Sequence, residues 1–475
     1  MRLVVLSLLV ASIALARGKA SRVYSPSPTA VAATAARTAP ATRAAPTAAK
    51  TAFASPADAA AAGPRMSRTD ERKTCPVPDE GIEHAVRLMR DGMLFRYTYP
   101  SGETSPVSEA ETALAAYTGH KYCIAVNSGA SALYLSMVGA GVKPGDKVLC
   151  NAFTFGAVPS AIVHAGAEVV YVESTDEFVL DVEELRKTLT QHPDAKALML
   201  SHMRGRVSDM EPIKAICDEA GVILLEDCAH SLGVRYKGLH TGHYGVACGV
   251  SAQAFKLLNS GEGGFCLTDD PEIAMRVAVL AGAYESNALK HNVLPEIEER
   301  FSKLAVQLPN LSMRMSALAA SVLIPQVHTL DERITEYELR YNSLKARLAA
   351  SPVASYSLVV PDDLPEVNPV HDELLFAIKP EALERAGGDA AVAAFMKACA
   401  ARGLTMNLFG SKTNARNFVN WQFAPHGSTG SLPRTAEVIS RSFGIRLPLQ
   451  WEREDIASVF DVLEWCAAEV FGTPT

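Results

Sequence analysis

The sequence contains no Cys-x-x-Cys pair, and its nine cysteines are scattered with no histidine at metal-ligand spacing. An odd count without a framework excludes a disulfide scaffold and reads as mostly reduced thiols, and no metal is expected. No basic stripe with interleaved aromatics occurs, and the net charge is −7, which argues against a nucleic-acid surface. There is no internal repeat. The apolar run Leu3–Ala16 is too short for a comfortable membrane span. No acidic residue precedes Asp58. What is present is 48% hydrophobic against 20% charged residues, the balance of a soluble globular chain with a large core.

The missing acids mark out the N-terminus. Arg2 precedes the apolar run, and Ala14-Leu-Ala16 suits signal-peptide cleavage. Residues 17–57 are rich in Ala, Thr, Pro and Ser and carry several Arg and Lys, the composition of an organelle transit peptide. A signal followed by a transit segment reads as the two-part leader of plastids acquired through a second endosymbiosis. A secreted or lumenal protein with a disordered linker is the alternative. Residues 1–67 are thus expected to be a disordered leader, 68–330 a large α/β domain and 331–475 a small C-terminal domain, with no membrane contact once the leader is removed.

From Ala85 to Tyr117 the pattern is helical, broken at Tyr99-Pro-Ser-Gly102. Short apolar runs then alternate with helical stretches. Tyr122–Val126, Lys147–Cys150, Val169–Val172, Ala197–Leu200 and Val222–Leu225 read as strands, with helices expected over Ala130–Val138, Gly156–His164, Val182–Leu189 and Met210–Ala220. This alternation implies an α/β fold with a mostly parallel sheet covered on both faces. Ligands in such sheets sit beyond the carboxyl ends of the strands, where Asn127, Phe153 and Asp227 fall. Glu298 to Ala350 is largely helical. Residues 351–475 then mix a strand over Glu373–Ile378 with helices over Ala390–Ala401 and Asp455–Val470.

The densest chemistry lies in Ser251-Ala-Gln-Ala-Phe-Lys256-Leu-Leu-Asn-Ser-Gly261-Glu-Gly-Gly264, 24 residues after Asp227 at the end of a strand-like run. A lysine with a hydroxyl five residues before it, a Gly-rich turn after it and an upstream acid suits pyridoxal phosphate (PLP). That cofactor needs an amine for its Schiff base, donors for its phosphate and a carboxylate for its pyridinium nitrogen. Apolar neighbours set Lys256 apart from a solvated surface lysine, and the glycines allow close backbone approach. Ser128, Gly129, Ala130 and Ser131 open a helix whose exposed N–H groups and positive dipole end suit a phosphate. Glu226 points to the opposite face from Asp227 if the strand continues, so it reads as structural. Cys228 reads as a small residue packed beneath the cofactor.

These blocks resemble the DegT/DnrJ/EryC1/StrS aminotransferases, which have the fold type I PLP architecture. Asn127-Ser-Gly-Ala-Ser131-Ala-Leu resembles the family's phosphate loop, Ala152-Phe-Thr-Phe155 the segment whose ring covers the cofactor, and Glu226-Asp-Cys-Ala-His230 its acidic block. Ser251 to Gly264 resembles the lysine block, and Arg446-Leu-Pro-Leu449 the element before the last helix. The resemblance covers roughly residues 80 to 470. It implies Lys256 as Schiff-base lysine and proton shuttle, Asp227 on the ring nitrogen and His230 on the phenolic oxygen. It also implies Ser251 as a second phosphate donor and Phe155 stacked on the ring. The activity implied is amino transfer from an amino acid donor, glutamate or glutamine, to a keto or aldehyde acceptor such as a nucleotide-linked keto sugar, within a homodimer. The alternatives are a PLP lyase or dehydratase on the same fold, against which Lys256 counts, and a non-catalytic PLP-binding regulatory protein.

Four positions depart from the family pattern. Ala252 stands for a Phe, Ser312 for an Asn that reaches across the dimer to the phosphate, and Arg204 for an aromatic near the substrate. Asn407 to Lys412 replaces a His-containing sugar contact. Arg204, Lys412 and Arg446 are candidates to bind a carboxylate or phosphate, or else surface and interface residues.

Overall fold

Short, nearly continuous runs of buried apolar residues build the central layer. In the computed structural model, strands β1 (Tyr122–Val126), β2 (Lys147–Asn151), β3 (Glu168–Val172), β4 (Ala195–Ser201), β5 (Ile223–Asp227), β6 (Ala247–Ser251) and β7 (Gly264–Thr268) form one sheet in the order β1-β7-β6-β5-β4-β2-β3. The structure describes residues 63–69, 74–100, 102–284, 287–291, 298–424 and 432–474. Residues 1–62, which carry most of the expected leader, lie outside the described residues. The first described ones already bond to the end of the chain: Met66 N–H donates to the Arg402 carbonyl at 2.8 Å and Ser67 Oγ to Asp455 Oδ1 at 2.6 Å. Met66 and Ser67, which fall at the end of the expected leader segment, thus lie against the C-terminal part of the chain.

Strands β2 to β6 run parallel, and β7 runs antiparallel to both β6 and β1. The five strands read from the sequence are all present. Strands β6 and β7 were not read, because Ala247-Cys-Gly-Val-Ser251 carries a central glycine and Gly264-Phe-Cys-Leu-Thr268 opens on one, both with small or polar residues diluting the apolar run. Alternate residues feed two layers: Ile124, Met199 and Leu225 pack on one face, and Cys123, Leu198 and Leu224 on the other.

Helices cover both faces, and their ends are capped by sequence. Ser105 caps the helix Pro106–Thr118 from Ser108 N–H, with Pro106 at its first position and Gly119 closing it in the left-handed region. Asp181 and Asp270 cap the helices Val182–Gln191 and Pro271–Ala281. Beyond the sheet, Ala317–His328 and Leu330–Ala350 lead to a four-stranded antiparallel sheet with its own apolar cluster around Phe376, Phe395 and Phe443. Two of its strands matter here: β8 (Glu373–Ile378) pairs with β9 (Ser442–Arg446), so that Glu373 faces Arg446 in register. The last helix, Arg453–Phe471, starts with a capping box from Glu452 and Asp455. No helix among the described residues is long and apolar enough to cross a membrane.

Candidate active site

The carboxyl ends of β1, β5 and β6 converge on one cavity of about 440 Å³. On one wall the helix Gly129–Gly139 begins directly after β1. Ser128 is its N-cap: its Oγ accepts from Ser131 N–H at 3.1 Å, leaving Gly129 and Ala130 on the cavity. Two glycine contacts allow that approach. A Cβ on Gly264 would lie 2.4 Å from the Ser128 carbonyl oxygen, and one on Gly129 would lie 2.7 Å from Ser251 Cβ. The helix terminus and the Ser251 hydroxyl therefore share one cup, a geometry that binds an anion through backbone N–H groups. Ser131 does not line this cavity: its hydroxyl donates to Asn127 Oδ1 at 2.7 Å and lies 2.9 Å from Ser128 Oγ.

Asp227 ends β5, buried, with Oδ2 accepting from Ser201 Oγ at 2.8 Å and Oδ1 from Ala229 N–H at 3.0 Å. These bonds aim a fixed carboxylate into the cavity. Glu226 does point the other way, where its oxygens accept from His202 Nε2 at 2.8 Å, Gly242 N–H at 2.8 Å and Gly245 N–H at 2.6 Å. His202, Glu226 and Cys228 place ligand-type atoms within 4.8 Å of one another, but those bonds already occupy the Glu226 carboxylate.

Lys256 Nζ lies 2.7 Å from His230 Nε2. Burial and then the Arg204 charge push its pKa down to about 7, against the pull of Asp227 and Asp372. Burial, then the charges of Lys256 and Arg204, hold His230 well below the usual histidine value, so its ring is neutral beside the lysine amine. Its Nδ1 is buried without a partner. Lys256, Asp227, His230, Ser128, Gly129, Ala130, Ser251 and Phe155 thus meet on one wall system.

A model of the DegT/DnrJ/EryC1/StrS aminotransferase family matches residues 98–464. The chain belongs to this family. Among curated relatives it is 32% identical to the spore coat polysaccharide biosynthesis protein SpsC of Bacillus subtilis, over 53% of this chain and 62% of SpsC. It is 30% identical to the GDP-perosamine synthase of Caulobacter vibrioides, over 49% of this chain and 59% of that one. The chain spans about three fifths of the length of these relatives. The fold matches the solved PLP-form of the putative sugar aminotransferase Spr1654 from Streptococcus pneumoniae, with a TM-score of 0.67, 18% identity and coverage of 84% of this chain and 98% of that one.

The cavity also holds groups that the sequence did not single out. Arg416 and Glu262 line it, and so does Gln253. Arg416 sits in an irregular loop whose only sequence signal was a cation among small polar residues. Arg446, a candidate anion contact, does line the cavity, its Cζ 3.9 Å from the Phe255 ring centroid. Arg204 does not: it is buried, in the left-handed region at φ 58, and paired with Glu373. Lys412 is exposed and off the wall.

Proposed function

We propose that this protein is a PLP-dependent aminotransferase moving an amino group from glutamate or glutamine to a keto or aldehyde acceptor. A nucleotide-linked keto sugar is the acceptor type suggested by the likeness to GDP-perosamine synthase. The observation that carries this reading is Lys256, an amine with a pKa near 7 in the same cavity as a buried carboxylate and a helix N-terminus. Those residues fit the cofactor: the Ser128–Ala130 cup with Ser251 suits its phosphate, Asp227 its ring nitrogen and Lys256 its aldehyde. When bound, the group supplies an electron sink for the bonds at the substrate's α-carbon.

The chain's own residues do the rest. Asp227 would keep the ring nitrogen protonated by its charge. With the cofactor bound, Lys256 as a free amine would be a base near neutral pH and would carry the proton from the α-carbon. His230 holds the Lys256 amine in place through its Nε2. The donor leaves as an oxo acid and its nitrogen passes to the acceptor, one water being taken up in the first half and released in the second.

The full chain with PLP should absorb at ~420 nm and shift to ~330 nm on adding L-glutamate or L-glutamine, with no such band in Lys256→Ala. A protein that takes up no PLP overturns the reading. A yellow protein indifferent to every donor moves it to a lyase. Two further parts of the reading concern assembly and destination. Exposed Phe95 with Arg314 beside its ring, and exposed Ile82, Met89 and Leu94, support a homodimer, testable by light scattering. The composition of residues 1–67 supports delivery to a plastid, testable by a fluorescent fusion of that segment.

A further inference from the structure

The helix Ala317–His328 is built mainly of apolar residues, yet it carries a glutamine, Gln326, that is only 2% exposed. A buried carboxamide is costly unless its hydrogen bonds are all made. Here they are. Oε1 accepts from the Asn259 backbone N–H at 3.0 Å and from Arg333 Nη1 at 3.1 Å. Nε2 donates to the Asn259 carbonyl at 2.8 Å and to the Val322 carbonyl at 2.6 Å. The side chain thus pairs with both backbone groups of one residue, as a neighbouring strand does. That residue is the third after Lys256.

Asn259 completes the arrangement with its own side chain. Its Oδ1 accepts from Gly261 N–H at 3.0 Å, which shapes the turn, and its Nδ2 donates to the Cys75 carbonyl at 3.2 Å. Cys75 comes within reach because the helix Asp79–Asp91 packs closely on the glutamine's helix. A Cβ on Gly81 would lie 3.1 Å from Val322 Cα and 3.3 Å from Pro325 Cγ. The lysine loop itself is closed at its base. Ala252 N–H donates to the Gly263 carbonyl at 2.9 Å, Ser260 N–H to the Ala252 carbonyl at 3.0 Å and Ala254 N–H to the Gly261 carbonyl at 2.8 Å. Lys256 stands at the far side of that loop, followed by buried Leu257 and Leu258, and Asn259 ties this far side to two other elements.

We propose that Gln326, acting through Asn259, is the positioning residue for the Lys256 amine. It clips the lysine loop to the helix Ala317–His328, and so keeps Nζ 2.7 Å from His230 Nε2, where the cofactor's aldehyde must find it. This rests on the aminotransferase reading. Neither Gln326 nor Asn259 lines the cavity, so both act through the backbone of the lysine rather than on cofactor or substrate. A long, flexible side chain is placed no better than the backbone that carries it. Without the clip, the Asn259 N–H and carbonyl are left unpaired in a buried site, and the loop has to move to satisfy them. Lys256 moves with it. The Ser128–Ala130 cup and Asp227 belong to other elements and keep their places.

Two ligands of the full chain, freed of cofactor, separate this role from a general structural one. Pyridoxine 5′-phosphate has the ring and phosphate of PLP with an alcohol in place of the aldehyde, so it reads the cup and Asp227 without the lysine. Growth of the ~420 nm band with PLP reads the lysine. Gln326→Met, and the isosteric Gln326→Glu, which loses both N–H donors, should hold pyridoxine 5′-phosphate within about threefold of the parent Kd, measured by calorimetry. The same variants should slow the PLP band at least about tenfold. Asn259→Ala keeps the backbone pairing but gives up Cys75 and Gly261, and should fall between. Gln326→Asn, one methylene too short to reach, should not rescue. Hydrogen exchange reads the clip with no cofactor present: protection of the Asn259 N–H should be lost in both Gln326 variants. Melting curves establish that each variant is folded, and Asn259→Ala carries the test if the Gln326 variants are not. A band that grows at the parent rate in folded variants overturns the proposal, and so does an equal loss for the two ligands. Failure of the aminotransferase reading shows instead in the unsubstituted chain, as absence of the ~420 nm band.

Discussion

At Lys256 two opposing fields meet, and their balance sets when the residue can act. Burial and Arg204 favour the neutral amine, while Asp227 and Asp372 favour the ammonium. The rate of PLP capture should therefore rise as pH passes through about 7 and level off above it, measured from the growth of the ~420 nm band. Asp227→Asn removes a charge that raises the lysine pKa, so the midpoint should move to lower pH. Turnover should fall by about a hundredfold or more, because the ring nitrogen loses its counter-charge. A midpoint that stays put would mean that Asp227 does not reach the lysine electrostatically. The same scale shows what single residues could reveal from sequence. Lys256 and Asp227 were legible because each sits within a block of special neighbours. The partnership of Arg204 with Glu373 was not, since it joins residues 169 positions apart that carry no local pattern.

At the scale of elements, the cup depends on how closely β7 approaches the helix that follows β1. Gly264 and the Ser128 carbonyl leave no room for a methyl group, and both are backbone, so neither can swing aside. Gly264→Ala should cost about 1–3 kcal/mol in a denaturant melt. It should also weaken PLP binding, by displacing the helix terminus that meets the phosphate. Gly261, at φ 80 with open space around its Cβ position, is a useful contrast: alanine there strains the turn but does not crowd the cup. The parallel strands and their helices were readable because short continuous apolar runs, Ser or Asp caps and terminal glycines are local signals. Strands β6 and β7 were not, because their glycines serve contacts across the sheet rather than strand propensity. Arg416 was missed for the same reason: the bond from Gly156 to Ala415 that places it spans 259 residues.

At the scale of the whole molecule, one histidine joins the long helix Leu330–Ala350, the loop around Asp363 and the approach to β8. His371 Nδ1 lies 3.0 Å from Glu338 Oε1, its Nε2 lies 3.1 Å from Asp363 Oδ2, and its ring stacks on Tyr341 at 3.7 Å. Arg206, which follows the end of β4, holds Asp363 from the other side at 2.6 Å. Burial disfavours the charged ring, but contacts with Asp363 and Glu338 outweigh it and raise the pKa above the ordinary histidine value. A raised folded pKa means that protonation stabilises the native state. That contribution is complete below the unfolded value of about 6.5 and is lost as pH rises through the folded value. The depressed pKa of Asp363 acts in a separate, acidic window, where its contribution disappears as pH falls through the folded carboxyl value. His371→Gln should therefore destabilise the protein by about 2 kcal/mol near pH 6 and by less at each step towards pH 9. Melting curves of both proteins across that range decide the matter, because a constant difference would assign His371 a packing role alone. Asp372 and Glu373 follow His371 directly, and Glu373 anchors the Arg204 charge that helps depress the Lys256 pKa. Loosening this hub should therefore also shift the pH at which PLP is captured, tying the stability of the small sheet to the chemistry of the lysine.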